Sequence, residues 1–277
     1  MTTPDLDNLE IPQPNGSLML AWQVKDRHVL VVGGGDVAIS RVNHLLQANA
    51  KITIIAKDID PVLHKYNELG LIYHLEERPF KPTDLTMHEH PKSRTKLLAY
   101  QQSLAISNTA ILDETFISLV ERFDKTEKFA MVLTAMNDYP TSLSIYHRCK
   151  LLQLNVNLAD KPAQCDFYFG SVYRHGSLQL MISTNGKSPR FANRLKTQIL
   201  IPALVPLDVD NAVACLGHLR RQLKEVVCAG SDADTIKERM KWNKAVTDFY
   251  SVEEWCRMDQ EKVNELLKLY PKLPTKK

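Results

Sequence analysis

The run His28-Val29-Leu30-Val31-Val32-Gly33-Gly34-Gly35-Asp36-Val37-Ala38 constrains this chain more than any other segment, because a short apolar strand passes through a glycine turn straight into a helix. The spacing is G-x-G-x-x-A. Gly33 permits the tight turn, Gly35 lets a backbone approach a phosphate closely, and Ala38 takes the third small position, where the helix must pack on the strand. Backbone N–H groups left unpaired at the start of such a helix lie at the positive end of its dipole, which suits a dinucleotide pyrophosphate. After the turn, Val37, Ala38, Val42, Leu45 and Leu46 recur at helical spacing, and Lys51 to Ala56 reads as a second buried strand. An acid usually ends that strand to hold the ribose hydroxyls. Here Ala56 and Lys57 precede Asp58, so these residues leave NAD and NADP both open.

The alternation of strand and helix continues. Leu71 to Leu75 predicts a third strand, residues 81 to about 110 read as polar and irregular, and a helix is predicted around Asp113 to Phe123. Phe129 to Ala135 predicts a buried strand, Ser142 to Leu152 a helix, and Leu154 to Leu158 another strand that ends at Ala159-Asp160. The pattern then changes to two strands, Phe167 to Tyr173 and Leu178 to Thr184, around the turn His175-Gly176-Ser177. Ser188-Pro189 is a helix start running toward Ile199. From Asp208 onward Val213, Leu216, Leu219, Leu223 and Val226 form one apolar stripe. The predicted fold class is α/β: a Rossmann-type doubly wound parallel sheet, then a small α+β domain and a C-terminal helical domain. The expected boundaries are a flexible lead-in over 1–17, a nucleotide-binding domain over 18–160 with a polar insertion at about 81–128, the small domain over 161–205 and the helical domain over 206–277.

At 277 residues, 44% hydrophobic and 24% charged, the chain has material for a sizeable core. A net charge of +3, with Lys and Arg dispersed apart from the tail Lys272 to Lys277, argues against nucleic acid as a partner, and the tail reads as a frayed terminus. No stretch approaches the ~20 apolar residues that cross a bilayer, and the first residues do not resemble a signal peptide, so a cytoplasmic enzyme with no membrane partner is expected. The five cysteines are odd in number and hold no C-x-x-C pair, which predicts reduced thiols rather than a disulfide framework or a zinc site.

Two constellations carry chemistry. Asn157-Leu158-Ala159-Asp160-Lys161-Pro162 sets a carboxylate just past the C-terminal end of a predicted parallel strand, where open α/β sheets bind ligands. There Asp160 can serve as general acid or base or help handle a metal ion, although Asp also commonly caps a turn. Ser183 to Arg194 combines an Asn-Gly turn, a helix start and two arginines, Arg190 and Arg194, one helical turn apart. Guanidinium groups fork onto carboxylates, so this face suits a polycarboxylate ligand; the plainer reading is a solvated helix face. His88-Glu89-His90 lies in the polar insertion with no third ligand nearby and reads as a surface loop.

Taken together, Val31 to Ala38, Asn157 to Pro162, Cys165-Asp166-Phe167-Tyr168-Phe169-Gly170 and Ile182 to Arg190 resemble the siroheme synthase family, above all its fungal bifunctional branch. The resemblance extends from about Leu18 to the C-terminal helices and matches least at residues 81–128 and in the tail. It implies oxidation of precorrin-2 to sirohydrochlorin with NAD, then insertion of ferrous iron as substrate to give siroheme, with one active site for both steps. It implies that Asp160 is the shared catalytic aspartate and transiently meets the metal. It implies NAD contacts around Asp36, Val37, Lys57 and Asp58, beside Gly33, Gly34, Gly35, Ala38 and the strand end Thr134-Ala135. The tetrapyrrole substrate is expected against Thr184, Asn185, Lys187, Ser188, Arg190 and Arg194, with threonine at 184 where bacterial members carry serine. Family members are homodimers joined through a middle domain matching 161–205, and no fused methyltransferase is expected. Two other readings stand beside this one: a dehydrogenase without chelatase activity, and a non-enzymatic NAD-sensing module.

Overall fold

The computed structural model describes residues 16–106 and 114–275; most of the expected lead-in lies outside them. Leu18–Tyr168 forms one compact unit and the chain from Phe169 onward belongs to a second.

The first unit is built on five parallel strands: β1 (His28–Val32), β2 (Lys51–Ala56), β3 (His74–Glu77), β4 (Phe129–Thr134) and β5 (Asn155–Leu158), in the order β3-β2-β1-β4-β5. Every residue of β1 and β4 is buried, as strands covered on both faces require. The chain works outward from β1 to β3, then returns to the other side of β1 as β4 and β5. β1 and β4 therefore flank the point where the strand order reverses, the place at which such sheets leave a crevice at their C-terminal ends. Helices α1 (Asp36–Gln47), α2 (Pro61–Glu68), α3 (Ser93–Ile106), α4 (Glu114–Arg122) and α5 (Tyr139–Leu151) make the connections. α1 buries Ala38, Val42 and Leu45, while Val37 is turned outward. Asp60 and Asp138 start α2 and α5 by accepting hydrogen bonds from Val62 N (2.8 Å) and Thr141 N (3.1 Å), each with a proline in the first turn.

Three expectations for this unit are corrected. The third strand begins at His74 rather than Leu71, because pairing with β2 starts at Thr53 and Tyr73 N already donates to Ile52 O (3.0 Å). The stretch read as irregular contains α3, whose polar sequence shows little periodicity. It is held at its start by Arg94, which forks onto Glu89 (2.9 and 2.6 Å), and against α4 by Tyr100, which stacks on Phe116 at 4.1 Å. His88 is not in a solvated loop. Its Nε2 lies 3.0 Å from Thr53 Oγ1, and its ring sits 4.4 Å from that of His28 and 5.3 Å from that of Phe129. Among the described residues no group of three or more His, Cys, Asp or Glu is placed to hold a metal ion.

In the second unit, β6 (Ser171–His175) and β7 (Leu178–Ile182) form the antiparallel hairpin, with β6 starting four residues later than predicted. Helix α6 (Pro189–Leu195) runs on through residues 196–200 into α7 (Ile201–Leu204). The helices α8 (Val209–Gln222), α9 (Ala233–Phe249), α10 (Val252–Cys256) and α11 (Gln260–Lys268) enclose a core of Leu219, Leu223, Trp242, Val246, Trp255 and Val263. Of the predicted stripe, Leu219 and Leu223 are buried and Leu216 packs partly buried against the core, where Ala212 and Cys215 of α8 join them. Val213 and Val226 are exposed, because α10 and α11 cover the neighbouring face. Among the described residues no single helix is long and apolar enough to cross a membrane.

The N-terminal edge of the sheet sets an acid limit on stability. Burial, with His88 and Lys51 nearby, pushes His28 from 6.5 down to about 4, and burial also lowers His88. The fold therefore holds His28 neutral while the unfolded chain takes up a proton below pH 6.5, so stability is full above that pH and is lost as pH falls toward 4. The His28 contribution amounts to at most about 3 kcal/mol. Thermal unfolding followed by circular dichroism should show the melting temperature falling across this window, and His28→Phe should flatten that fall.

Candidate active site

The glycine turn follows from the register. Val32, Thr134 and Leu158 end their strands at one level, with Ile55, the penultimate residue of β2, beside Val32, so Gly33, the residues after Ala56, Ala135 and Ala159 leave the sheet on one edge. Gly33 has φ +127°, and a Cβ there would stand 2.1 Å from Ala135 O. A Cβ on Gly34 would stand 2.3 Å from Asp58 O, in a backbone already tied by Asp60 N to Gly34 O (2.9 Å). Gly35 differs: it is exposed, starts α1 with no side-chain cap, and has no atom within 4 Å of where its Cβ would be. The open space in front of an uncapped helix start is the cradle that a pyrophosphate fills, so these residues fit NAD. Asp36 and Val37 line it from the first turn and are exposed, while Ala38 is buried against the strand. Lys57 and Asp58 are exposed past β2. Thr134 is buried and its carbonyl accepts from Ala159 N (3.0 Å); Ala135 N donates to Val32 O (2.8 Å).

Asp160 lies two residues past β5 on this same edge; the ends of β5 and β1 are separated by two strand spacings, about 10 Å. It is exposed and adopts φ +59°, a left-handed conformation that few non-glycine residues take. Its neighbour Lys161 carries Nζ over the Tyr139 ring, 4.7 Å from the centroid. One participant escaped the sequence reading. Arg41, on the second turn of α1, is partly buried; burial pushes its guanidinium down, and the Asp160 carboxylate and Cys165 oppose that shift. The edge thus brings a carboxylate, a compensating cation and a phosphate cradle together. Arg41 stands three residues after Ala38 in the glycine-turn helix, which was the available signal, but its alignment with Asp160 depends on the fold.

The other sequence candidates belong to the second unit. Asn185 and Gly186 form the turn, with φ +52° and +76°. Thr184 Oγ1 accepts from Ser188 N (2.9 Å), and Ser188 Oγ caps α6 by accepting from Phe191 N (3.4 Å). Lys187 and Arg190 are exposed; Arg194, also exposed, reaches Gln198 Oε1 at 3.4 Å. The two hydroxyls are thus occupied in shaping the turn, and the cations point their charge to solvent.

Residues 20–171 match a family model described as putative NAD(P)-binding, residues 175–200 the sirohaem biosynthesis protein central model, and residues 206–274 the sirohaem biosynthesis protein C-terminal model. The siroheme biosynthesis protein met8 of Schizosaccharomyces pombe is 32% identical over 260 residues, which is 94% of this chain and 82% of that protein. Its namesake from Saccharomyces cerevisiae is 33% identical over 262 residues, 91% and 90% of the two chains. Siroheme synthase 2 of Aeromonas hydrophila is 24% identical over 84% of this chain but only 40% of its own length. Among solved structures, SirC, precorrin-2 dehydrogenase, superposes with a TM-score of 0.55 at 17% identity, covering 92% of this chain and all of that one, a likeness of fold.

Two glycine substitutions separate cradle from scaffold. Gly35→Val, at a backbone conformation that valine tolerates, should leave the melting temperature within a few degrees yet weaken NAD binding by about tenfold or more, read by nucleotide fluorescence titration. Gly33→Ala should destabilise the protein by about 2 kcal/mol or more in urea unfolding, because it adds a backbone clash to an unfavourable φ.

Proposed function

The chain belongs to the siroheme biosynthesis family, and on that premise we propose that it oxidises precorrin-2 to sirohydrochlorin with NAD and then inserts ferrous iron, with Asp160 serving both steps. The observation that carries the site assignment is the position of Asp160: exposed, in a strained conformation, on the sheet edge that also carries the Gly35 cradle. Strained residues of this kind persist where the surroundings over-determine them, and they concentrate at functional sites.

In the first step the macrocycle loses a hydride and a proton. NAD, when bound, supplies the hydride acceptor. The backbone N–H groups after Gly35 would hold its phosphates, and Lys57 and Asp58, exposed past the end of β2, would be available to its ribose. The Asp160 carboxylate accepts the departing proton; being exposed, it passes that proton to water before the next step. In the second step two pyrrole N–H protons leave as Fe2+ enters the ring. The same carboxylate receives the two protons one after the other, passing each to water, and draws the cation to the macrocycle, while Arg41 keeps a compensating positive charge beside it.

Precorrin-2 is a polycarboxylate, and Lys187, Arg190 and Arg194 offer it cations on one helix start, with Thr184, Asn185 and Ser188 shaping the turn. We assign residues 161–205 as a dimerisation domain, a reading supported by Phe191, Ile199 and Val205, which are 53%, 60% and 71% exposed. Cys149, Cys165, Cys215, Cys228 and Cys256 are all free thiols, which supports a reducing, cytoplasmic setting.

Anaerobic absorbance with precorrin-2 and NAD, followed by Fe2+, tests the assignment. Sirohydrochlorin and NADH should appear together and then a siroheme spectrum, with both rates falling by about a hundredfold or more in Asp160→Asn. Preformed sirohydrochlorin given with Fe2+ isolates the second step, and failure there with intact oxidation would leave a dehydrogenase alone. Reversing charge at Arg190 and Arg194 together should raise the KM for precorrin-2 by about tenfold or more while the KM for NAD stays put.

A further inference from the structure

β5 is the last strand of its sheet, so one side of it has no strand partner. The chain supplies one ten residues later. Asp166 N donates to Val156 O (2.9 Å), and Val156 N donates back to Asp166 Oδ2 (2.9 Å), so one residue satisfies both outward-facing backbone groups of a fully buried position. The second carboxylate oxygen, Oδ1, accepts from Lys150 Nζ at the end of α5. Next to this anchor, Asn157 and Cys165 form an antiparallel bridge, and Asn157 Nδ2 donates to Phe167 O (2.8 Å). Inside the resulting closed loop, Lys161 N donates to Leu158 O (3.3 Å), Cys165 Sγ reaches the same carbonyl (3.1 Å), and Tyr168 Oη donates to Pro162 O (3.0 Å). Asp160 sits at the turn of that loop with φ +59°.

We propose that Asp166 is a positioning residue for Asp160: by clamping the returning chain to Val156 and Lys150 it closes the loop that keeps Asp160 left-handed and standing at the strand end. A free chain would let Asp160 relax to an extended or helical conformation: aspartate visits the left-handed region more often than most residues, but the extended and helical basins still lie lower. With both oxygens engaged, the Asp166 carboxylate is not a second base; it acts through the backbone it holds. This rests on the reading of Asp160 as the proton acceptor.

The test uses the full chain, with kcat and KM measured anaerobically for both steps and normalised to folded protein. Asp166→Ala should lower kcat in oxidation and in iron insertion alike by about tenfold or more, while the NAD dissociation constant stays within about twofold. Asp166→Asn keeps an oxygen that can accept from Val156 N and should recover at least about a third of the loss; Lys150→Met, which removes only the ion pair, should fall between. If Asp166→Ala does not fold, the last two variants carry the same comparison. Unchanged kcat in the Asp166 variants beside an inactive Asp160→Asn would overturn the positioning role and leave Asp160 standing. Loss of NAD affinity in step with kcat would also overturn it, as a general loosening of the unit. Full activity in Asp160→Asn would instead remove the premise.

Discussion

The nucleotide-binding unit depends on how closely two backbones meet where the strand order reverses. Gly33 leaves β1 against the carbonyl of Ala135, which leaves β4, and no side chain fits between them. That approach determines where α1 begins, hence where its unpaired N–H groups stand and which way Arg41 faces two turns on. It also brings β4 level with β1, and Thr134 O in turn sets the exit of β5 through Ala159 N. The cradle and Asp160 are thus two consequences of one register.

In the role we propose for Asp160, a single carboxylate serves two different reactions because both ask for a base at the same macrocycle and neither asks for a fixed metal cage. An exposed aspartate exchanges its proton with water between steps, and a ferrous ion that must be released into a ring is better met by one carboxylate than held by several ligands. On that reading the protein's share of the work is orientation, and the hydrogen bonds of Asn157, Cys165 and Tyr168 hold the Asp160 loop in shape.

What was legible in the sequence was what depends on neighbours in the chain. The turn from Val32 to Ala38 combines local strand, glycine and helix signals, and the run ending at Leu158 announces where Asp160 leaves the sheet. Features created by distant contacts were not legible. α3 has no strong apolar face of its own and is held against α4 by the stacking of Tyr100 on Phe116. β3 begins where β2 offers partners, three residues after the apolar run begins. Arg41 reads as one more polar residue on an exposed helix until the fold sets it beside Asp160, and Val213 reads as core until α10 and α11 choose the adjacent face of α8. The resemblance of the Cys165 to Gly170 block pointed to a family but gave no reason for those residues; the clamp on Val156 supplies one for Asp166.

The two ends of β1 carry opposite demands. At the start of the strand His28 is 2% exposed among His88, Tyr73 and Phe129, where burial favours the neutral ring. Past the other end stands the glycine cradle, open to solvent beside exposed acids. Five residues of strand separate them by about 13 Å, beyond the range at which substitutions usually couple and beyond the screening length of ordinary buffers. Protonation at the histidine end therefore acts on the fraction of protein folded and leaves the cradle of folded molecules unchanged, so an acid loss of activity that follows His28 disappears when measured rates are divided by the folded fraction.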